Sequence, residues 1–187
     1  MIEDIAASHP EAGRVEIWFQ DETRIGQTGR TCRRWFEKGV RPRGHRDLRH
    51  QALYLFGAVC PARDEAVELV LPDVSTVAMQ ALLDELSKAV DQDAHALVIM
   101  DRAGWHCAKT LMVPDNLSLA FLPPYSPELN VIERVWLYLK ERYLSLRVWP
   151  DYDDILDAVC KAWNKLLDEP GRIKSLTDAD WLLSVKT

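Results

Sequence analysis

Close-set cysteine pairs are missing from this 187-residue chain: Cys32, Cys60, Cys107 and Cys160 are widely scattered. No C-x-x-C pair offers a zinc or redox motif, and four scattered cysteines make no disulfide framework, so a reducing compartment suits them. Long apolar runs are also lacking. None approaches the roughly 18–20 residues that a membrane span requires. Met1 to Ala12 carries Glu3, Asp4 and Glu11 where an export leader would be basic and then apolar. Glycine (8) and proline (10) are too sparse for a collagenous or low-complexity chain. No G-x-S-x-G elbow is present, and adjacent His106-Cys107 would point apart on a helix or a strand, which argues against acyl transfer.

What is present is a globular composition, 48% hydrophobic and 28% charged, long enough for one domain with a sizeable core. The net charge of −6 hides an asymmetry. Between positions 24 and 49, Arg24, Arg30, Arg33, Arg34, Lys38, Arg41, Arg43, Arg46 and Arg49 face only Glu37 and Asp47, a local balance of +7 that leaves −13 for the remainder. A block of this kind is often simply solvated surface. Arginine in place of lysine, however, favours bidentate phosphate contacts, and the block is read as a nucleic-acid contact through Arg30, Arg33, Arg34, Arg41 and Arg43.

Periodicity predicts a mixed α/β order. Val15 to Phe19 is β-branched and aromatic and reads as a strand ending on Gln20-Asp21-Glu22; Arg30 to Phe36, Gln51 to Cys60 and Ala66 to Leu71 read as its antiparallel neighbours. Helical spacing follows from Val77 to Val90, capped by Asp73, Ser75 or Thr76. Ala96 to Met100 has no polar member, as in a strand covered on both faces, and stops at Asp101. A helix over His106 to Met112, a strand over Leu117 to Leu122, and helices over about Asn130 to Leu144 and Tyr152 to Leu167 complete the order, with no repeat and no linker.

Asp21 and Asp101 each follow an apolar strand, where sites gather in open α/β sheets, although either alone reads equally as a turn or cap aspartate. Glu133 lies roughly 120° from the centre of the stripe made by Val131, Ile132, Val135, Trp136, Leu139 and Tyr143, at about 100° per residue. It has a bland explanation too: with Asn130 as N-cap, Glu133 at N3 would close a capping box. Three converging carboxylates would repel one another, each pair at about 4 Å costing roughly 1 kcal/mol in water and about 4 at an effective dielectric of 20. A divalent metal relieves that repulsion, and hard oxygen ligands suit Mg²⁺ or Mn²⁺. Two such ions would suit phosphodiester cleavage or transfer. Of the seven tryptophans, Trp136 and Trp163 read as core by spacing, while Trp105, next to the second acid, is singled out as a base-stacking residue.

Phe19-Gln20-Asp21-Glu22, Met100-Asp101-Arg102-Ala103-Gly104-Trp105-His106 and Leu122-Pro123-Pro124-Tyr125-Ser126-Pro127-Glu128-Leu129-Asn130-Val131-Ile132-Glu133 occur in this order. With Trp35, Gly39-Val40-Arg41-Pro42 and Phe56-Gly57-Ala58-Val59, they make the chain resemble, from about Val15 to Leu176, the DDE transposases of bacterial insertion sequences related to the Tc/mariner superfamily. The resemblance implies a ribonuclease-H-like fold with a mixed sheet, antiparallel first three strands and flanking helices. It implies Asp21, Asp101 and Glu133 as the catalytic, metal-binding triad for two Mg²⁺ or Mn²⁺ ions, with Glu22, His106 and Asn130 in supporting roles. The implied partner is double-stranded DNA, both transposon ends and target, acted on by a homodimer in the nucleoid-associated cytoplasm, with no membrane. Val131 stands where such proteins usually carry proline, and 31 residues separate Asp101 from Glu133, slightly fewer than usual. Residues 1–14 are read as an extension and 15–187 as the catalytic domain with C-terminal helices. So short an extension leaves no room for a recognition helix, so end recognition is expected from a separate helix-turn-helix polypeptide or is lost in a truncated copy. The competing reading is a catalytically silent DNA-binding or regulatory remnant, and a third is a ribonuclease-H-like nuclease acting on hybrid or branched substrates.

Overall fold

The structure is a computed structural model that describes residues 2–28, 35–40, 49–145 and 147–179. Its elements are a short helix α1 (Ile2–Ser8), strands β1 (Arg14–Gly26), β2 (Ala52–Cys60) and β3 (Glu65–Leu71), helix α2 (Thr76–Ala89), strands β4 (Ala94–Met100) and β5 (Leu117–Phe121), and helices α3 (Ile132–Leu139), α4 (Tyr152–Leu167) and α5 (Arg172–Leu176). A 3₁₀ turn, Pro127–Leu129, precedes α3, and a π turn, Lys140–Leu144, continues it. Ser75 caps α2 by accepting the Ala78 N–H, and Asp151 caps α4 by accepting the Asp154 N–H, each satisfying a donor the helix cannot use itself.

The five strands form one sheet in the order β3-β2-β1-β4-β5. β1, β2 and β3 pair antiparallel, and β4 and β5 join in parallel, which is the expected mixed sheet. Alternation along β1 sends Trp18 to one face and Phe19 to the other. Trp18 packs with Met79, Leu82 and Leu86 of α2, while Phe19 packs with Trp136, Ile155, Val159 and Trp163 of α3 and α4. Both aromatics are fully buried, each contributing about 1.5–3 kcal/mol relative to exposure. Among the described residues Cys60, Cys107 and Cys160 are unpaired, and no helix is long and apolar enough to cross a membrane.

Two expectations are corrected. β1 does not stop at the acids but runs on to Gly26, because Thr23, Arg24 and Ile25 pair with Leu55, Tyr54 and Leu53 of β2. Asp21 therefore stands inside a strand. His106 to Met112 is not helical; it is a succession of turns closed by His106 N–H to Ala103 O (3.0 Å) and Leu111 N–H to Ala108 O (3.0 Å). The expected strand over Arg30 to Phe36 lies outside the described residues up to position 34, and Trp35 and Phe36 are exposed and not in a strand.

Candidate functional site

The parallel ladder between β1 and β4 ends at Phe19 opposite Ile99. Two residues further along each chain lie Asp21 and Asp101, so the register sets them level at the point where β4 has stopped and β1 continues. Beyond the end of β5, the segment Leu122–Pro127 turns across this opening and leads into α3, whose first turn carries Glu133. The three acids line one open cleft of about 380 Å³, together with Arg102, Tyr125 and Asn130 among others.

Asp21 is half-buried, and its Oδ2 accepts a hydrogen bond from Trp136 Nε1 at 3.1 Å. Burial first, and then the charges of Glu133 and Glu22, push its carboxyl up to about 7. Asp101 is held differently: its Oδ1 accepts the Ala103 N–H at 2.9 Å, an Asx turn, and lies 2.7 Å from His106 Nδ1. Its side chain stays 57% exposed. His106, 2% exposed, reaches with Nε2 to 3.3 Å from Glu22 Oε2, an ion-pair distance without hydrogen-bond alignment. Burial disfavours the charged imidazole, but Glu22 and then Asp101 outweigh it and raise its pKa above the usual 6.5.

The capping explanation for Glu133 does not hold. Val131 is the N-cap of α3 and makes no side-chain cap, while Asn130 Nδ2 donates to Gln20 O at 2.8 Å, spanning 110 residues to tie the approach of α3 to β1. Freed from a cap, Glu133 is exposed towards the cleft. Trp105 is half-buried, packed against the α2-side core with its ring edge-on to His106 at 5.8 Å. Arg30, Arg33, Arg34, Arg41 and Arg43 lie outside the described residues.

Four residues at or beside the site were not among those expected from the sequence. Trp136 read as core, although a buried indole N–H needs a partner and Glu133 lies one turn away. Gly57, Arg102 and Tyr125 carry no signal of their own outside the motifs that contain them. Tyr125 is 101% exposed with φ of 60°, a left-handed conformation uncommon outside glycine, and the prolines on either side of Tyr125-Ser126 were the available signal.

The donor set fits a divalent cation of the hard class. Asp21 is a carboxylate whose ionisation two neighbouring acids oppose, and a nearby cation would offset that. Among the described residues, no three His, Cys, Asp or Glu side chains close around a single point. The fit is therefore to an open site of the kind Mg²⁺ prefers, with waters and substrate oxygens completing the shell, and not to a closed structural cage.

Residues 16–156 match the family described as DDE superfamily endonuclease. An uncharacterised protein, y4pE/y4sA of Sinorhizobium fredii strain NGR234, is 51% identical over 128 residues, 68% of this chain and 95% of that protein. Among solved structures, the Mos1 transposase paired-end complex with the left transposon end aligns at a TM-score of 0.66 and 14% identity, covering 94% of this chain and 55% of that one. The Mos1 mariner paired-end complex with Mn aligns at 0.68 and 13%, covering 94% and 56%. At that identity the likeness is one of fold, and the chain spans about half the length of the Mos1 chains.

Proposed function

The chain belongs to the DDE superfamily of endonucleases, and on that premise we propose that it is the catalytic domain of a transposase, cutting double-stranded DNA and joining the freed 3′ end to a target. The observation that carries this reading is the meeting of Asp21, Asp101 and Glu133, from three separate segments, around one open cleft. The bland alternatives are weaker for two of them. Asp21 caps nothing, standing inside β1, and Glu133 takes part in no capping box.

Asp21, Asp101 and Glu133 would hold two Mg²⁺ or Mn²⁺ ions. When bound, the ions would activate the attacking oxygen and stabilise the departing one. The remaining residues prepare that site. His106 fixes one oxygen of Asp101 and leaves the rest of the carboxylate facing the cleft. Glu22, on the far side of the imidazole, keeps His106 in place. Asn130 anchors the segment that delivers Glu133. The cleft is otherwise acidic, so phosphate must be drawn by cations: Arg102 at its rim, and the arginine block of Arg30, Arg33, Arg34, Arg41 and Arg43. Trp105 belongs to the DNA contacts in this reading.

The proposal extends to residues 15–187 as the catalytic domain behind the 1–14 extension, to a homodimer, and to action on transposon ends, which the likeness in fold to the Mos1 paired-end complexes supports. It further includes end recognition by a helix-turn-helix polypeptide and a place on the nucleoid.

A nicking and strand-joining assay on duplex DNA tests the reading. Activity is expected with Mg²⁺ or Mn²⁺, absent in chelator, and lost in Asp21→Asn, Asp101→Asn and Glu133→Gln. Preferred cleavage of RNA–DNA hybrid would point to a nuclease of other purpose. DNA binding without cleavage under any metal would point to a silent remnant.

A further inference from the structure

The indole of Trp136 lies between the two elements that carry Asp21 and Glu133. It is 1% exposed, one helical turn beyond Glu133 on α3, and its Nε1 donates to Asp21 Oδ2 at 3.1 Å. Directly opposite Asp21 in the β1–β2 ladder stands Gly57. A Cβ at Gly57 would fall 2.6 Å from Cη2 and 3.2 Å from Cζ2 of the same indole, so the ring lies in the space that the missing side chain leaves. A glycine inside a strand marks such a close approach. One turn further on, Lys140 Nζ donates to Thr23 Oγ1 at 2.5 Å, so positions 133, 136 and 140 follow β1 from Asp21 to Thr23.

We propose that Trp136 is a positioning residue for Asp21, and that Gly57 is its obligatory counterpart. The indole N–H fixes one carboxylate oxygen of Asp21, while the glycine lets the ring lie close enough to the sheet for α3 to bring Glu133 level with Asp21. The arrangement does two tasks at once. It sets the rotation of one metal-binding carboxylate, and it sets the seating of the helix that supplies another. Groups that orient a ligating carboxylate typically change metal affinity by about 10–100-fold when removed. This inference rests on the reading of Asp21 and Glu133 as metal ligands.

Mn²⁺ binding followed by electron paramagnetic resonance on the full chain, without DNA, tests it. The proteins are wild type, Asp21→Asn, Trp136→Phe, Gly57→Ala and the Gly57→Ala/Trp136→Phe double variant, with melting in chelator as the check that each is folded. Wild type should bind Mn²⁺ and Asp21→Asn should not. Trp136→Phe, which keeps a ring but loses the donor, should fold and bind at least 10-fold more weakly. Gly57→Ala should weaken binding similarly in the wild-type background but add less than 3-fold on top of Trp136→Phe, because the far edge of the indole that a Cβ would strike is then gone. Unchanged Mn²⁺ affinity in folded Trp136→Phe overturns the inference while leaving the metal reading intact. Equal, additive losses from Gly57→Ala in both backgrounds overturn the role given to Gly57. If Gly57→Ala does not fold, folding of the double variant supports the role given to Gly57, failure of both to fold overturns it, and Trp136→Phe alone decides the role of the indole. No Mn²⁺ binding by wild type overturns the metal reading itself, and the inference falls with it.

Discussion

His106 Nδ1 stands 2.7 Å from Asp101 Oδ1, and the opposite edge of the same buried ring faces Glu22. One imidazole thus joins an exposed acid at the end of β4 to a nearly buried acid on β1. Replacing His106 by alanine leaves Glu22 without its cationic neighbour, a loss of about 1–3 kcal/mol, or roughly 2–4 °C in melting temperature per kcal/mol for a chain of this size. The folded pKa of His106 is raised, so the charged contribution is complete below the unfolded value of 6.5 and fades as pH rises through the folded one. The gap in melting temperature between wild type and His106→Ala should therefore be widest in mildly acidic buffer and narrow in alkaline buffer.

Asp21 titrates in the opposite sense. An acid whose pKa rises from 3.8 to about 7 keeps its proton in the fold while the unfolded chain ionises, so metal-free stability should fall between about pH 4 and pH 7 and then level off. Asp21→Asn removes that dependence. Denaturant unfolding in chelator should show the variant more stable than wild type at pH 8, by on the order of 4 kcal/mol at most, with little difference at pH 4.

Glu68 supplies the contrast. It lies on β3 opposite Gly57, in the same cross-strand row as Asp21, and burial alone pushes it up to about 8. Glu68→Gln should likewise gain stability relative to wild type as pH passes from about 4.5 to 8. Its Mn²⁺ response should match the wild type's, which separates a raised acid at the cleft from a raised acid under α4.

Asn130 joins the entrance of α3 to the backbone of β1 through Gln20. Asn130→Ala is expected to cost about 1–3 kcal/mol, since it strips a buried carbonyl of its donor. It should also lower metal-dependent nicking by more than its effect on melting alone would, because the link it cuts lies three residues before Glu133.

The sheet was largely legible in the residues. β2, β3, β4 and β5 are apolar runs ended by turn residues, and the α2 and α4 boundaries follow their caps. β1 was shortened at its acids because Gln20-Asp21-Glu22 lacks strand character by itself; pairing with Leu53–Leu55 of β2 carries the strand onward, a tertiary effect no local window holds. The turns after Asp101 depart from the expected helix for a related reason: the Asx turn at Asp101 and the capture of His106 decide that segment, and both partners of His106 lie outside it. The three acids could be named from motifs. That Trp136 touches Asp21, or that Asn130 reaches Gln20, depends on contacts over more than a hundred residues, which spacing alone does not encode.

The central claim is that Asp21, Asp101 and Glu133 act as one divalent-metal site. Melting of wild type and of the Asp21→Asn/Asp101→Asn/Glu133→Gln triple variant, each titrated with Mn²⁺ from chelator-treated stock, tests it most directly. The wild-type melting temperature should rise with the logarithm of Mn²⁺ concentration above Kd, with about 2.7 kcal/mol of stabilisation at a hundredfold excess over Kd for one ion, and that of the triple variant should not move. Equal shifts in the two proteins, or no shift in either, would contradict it.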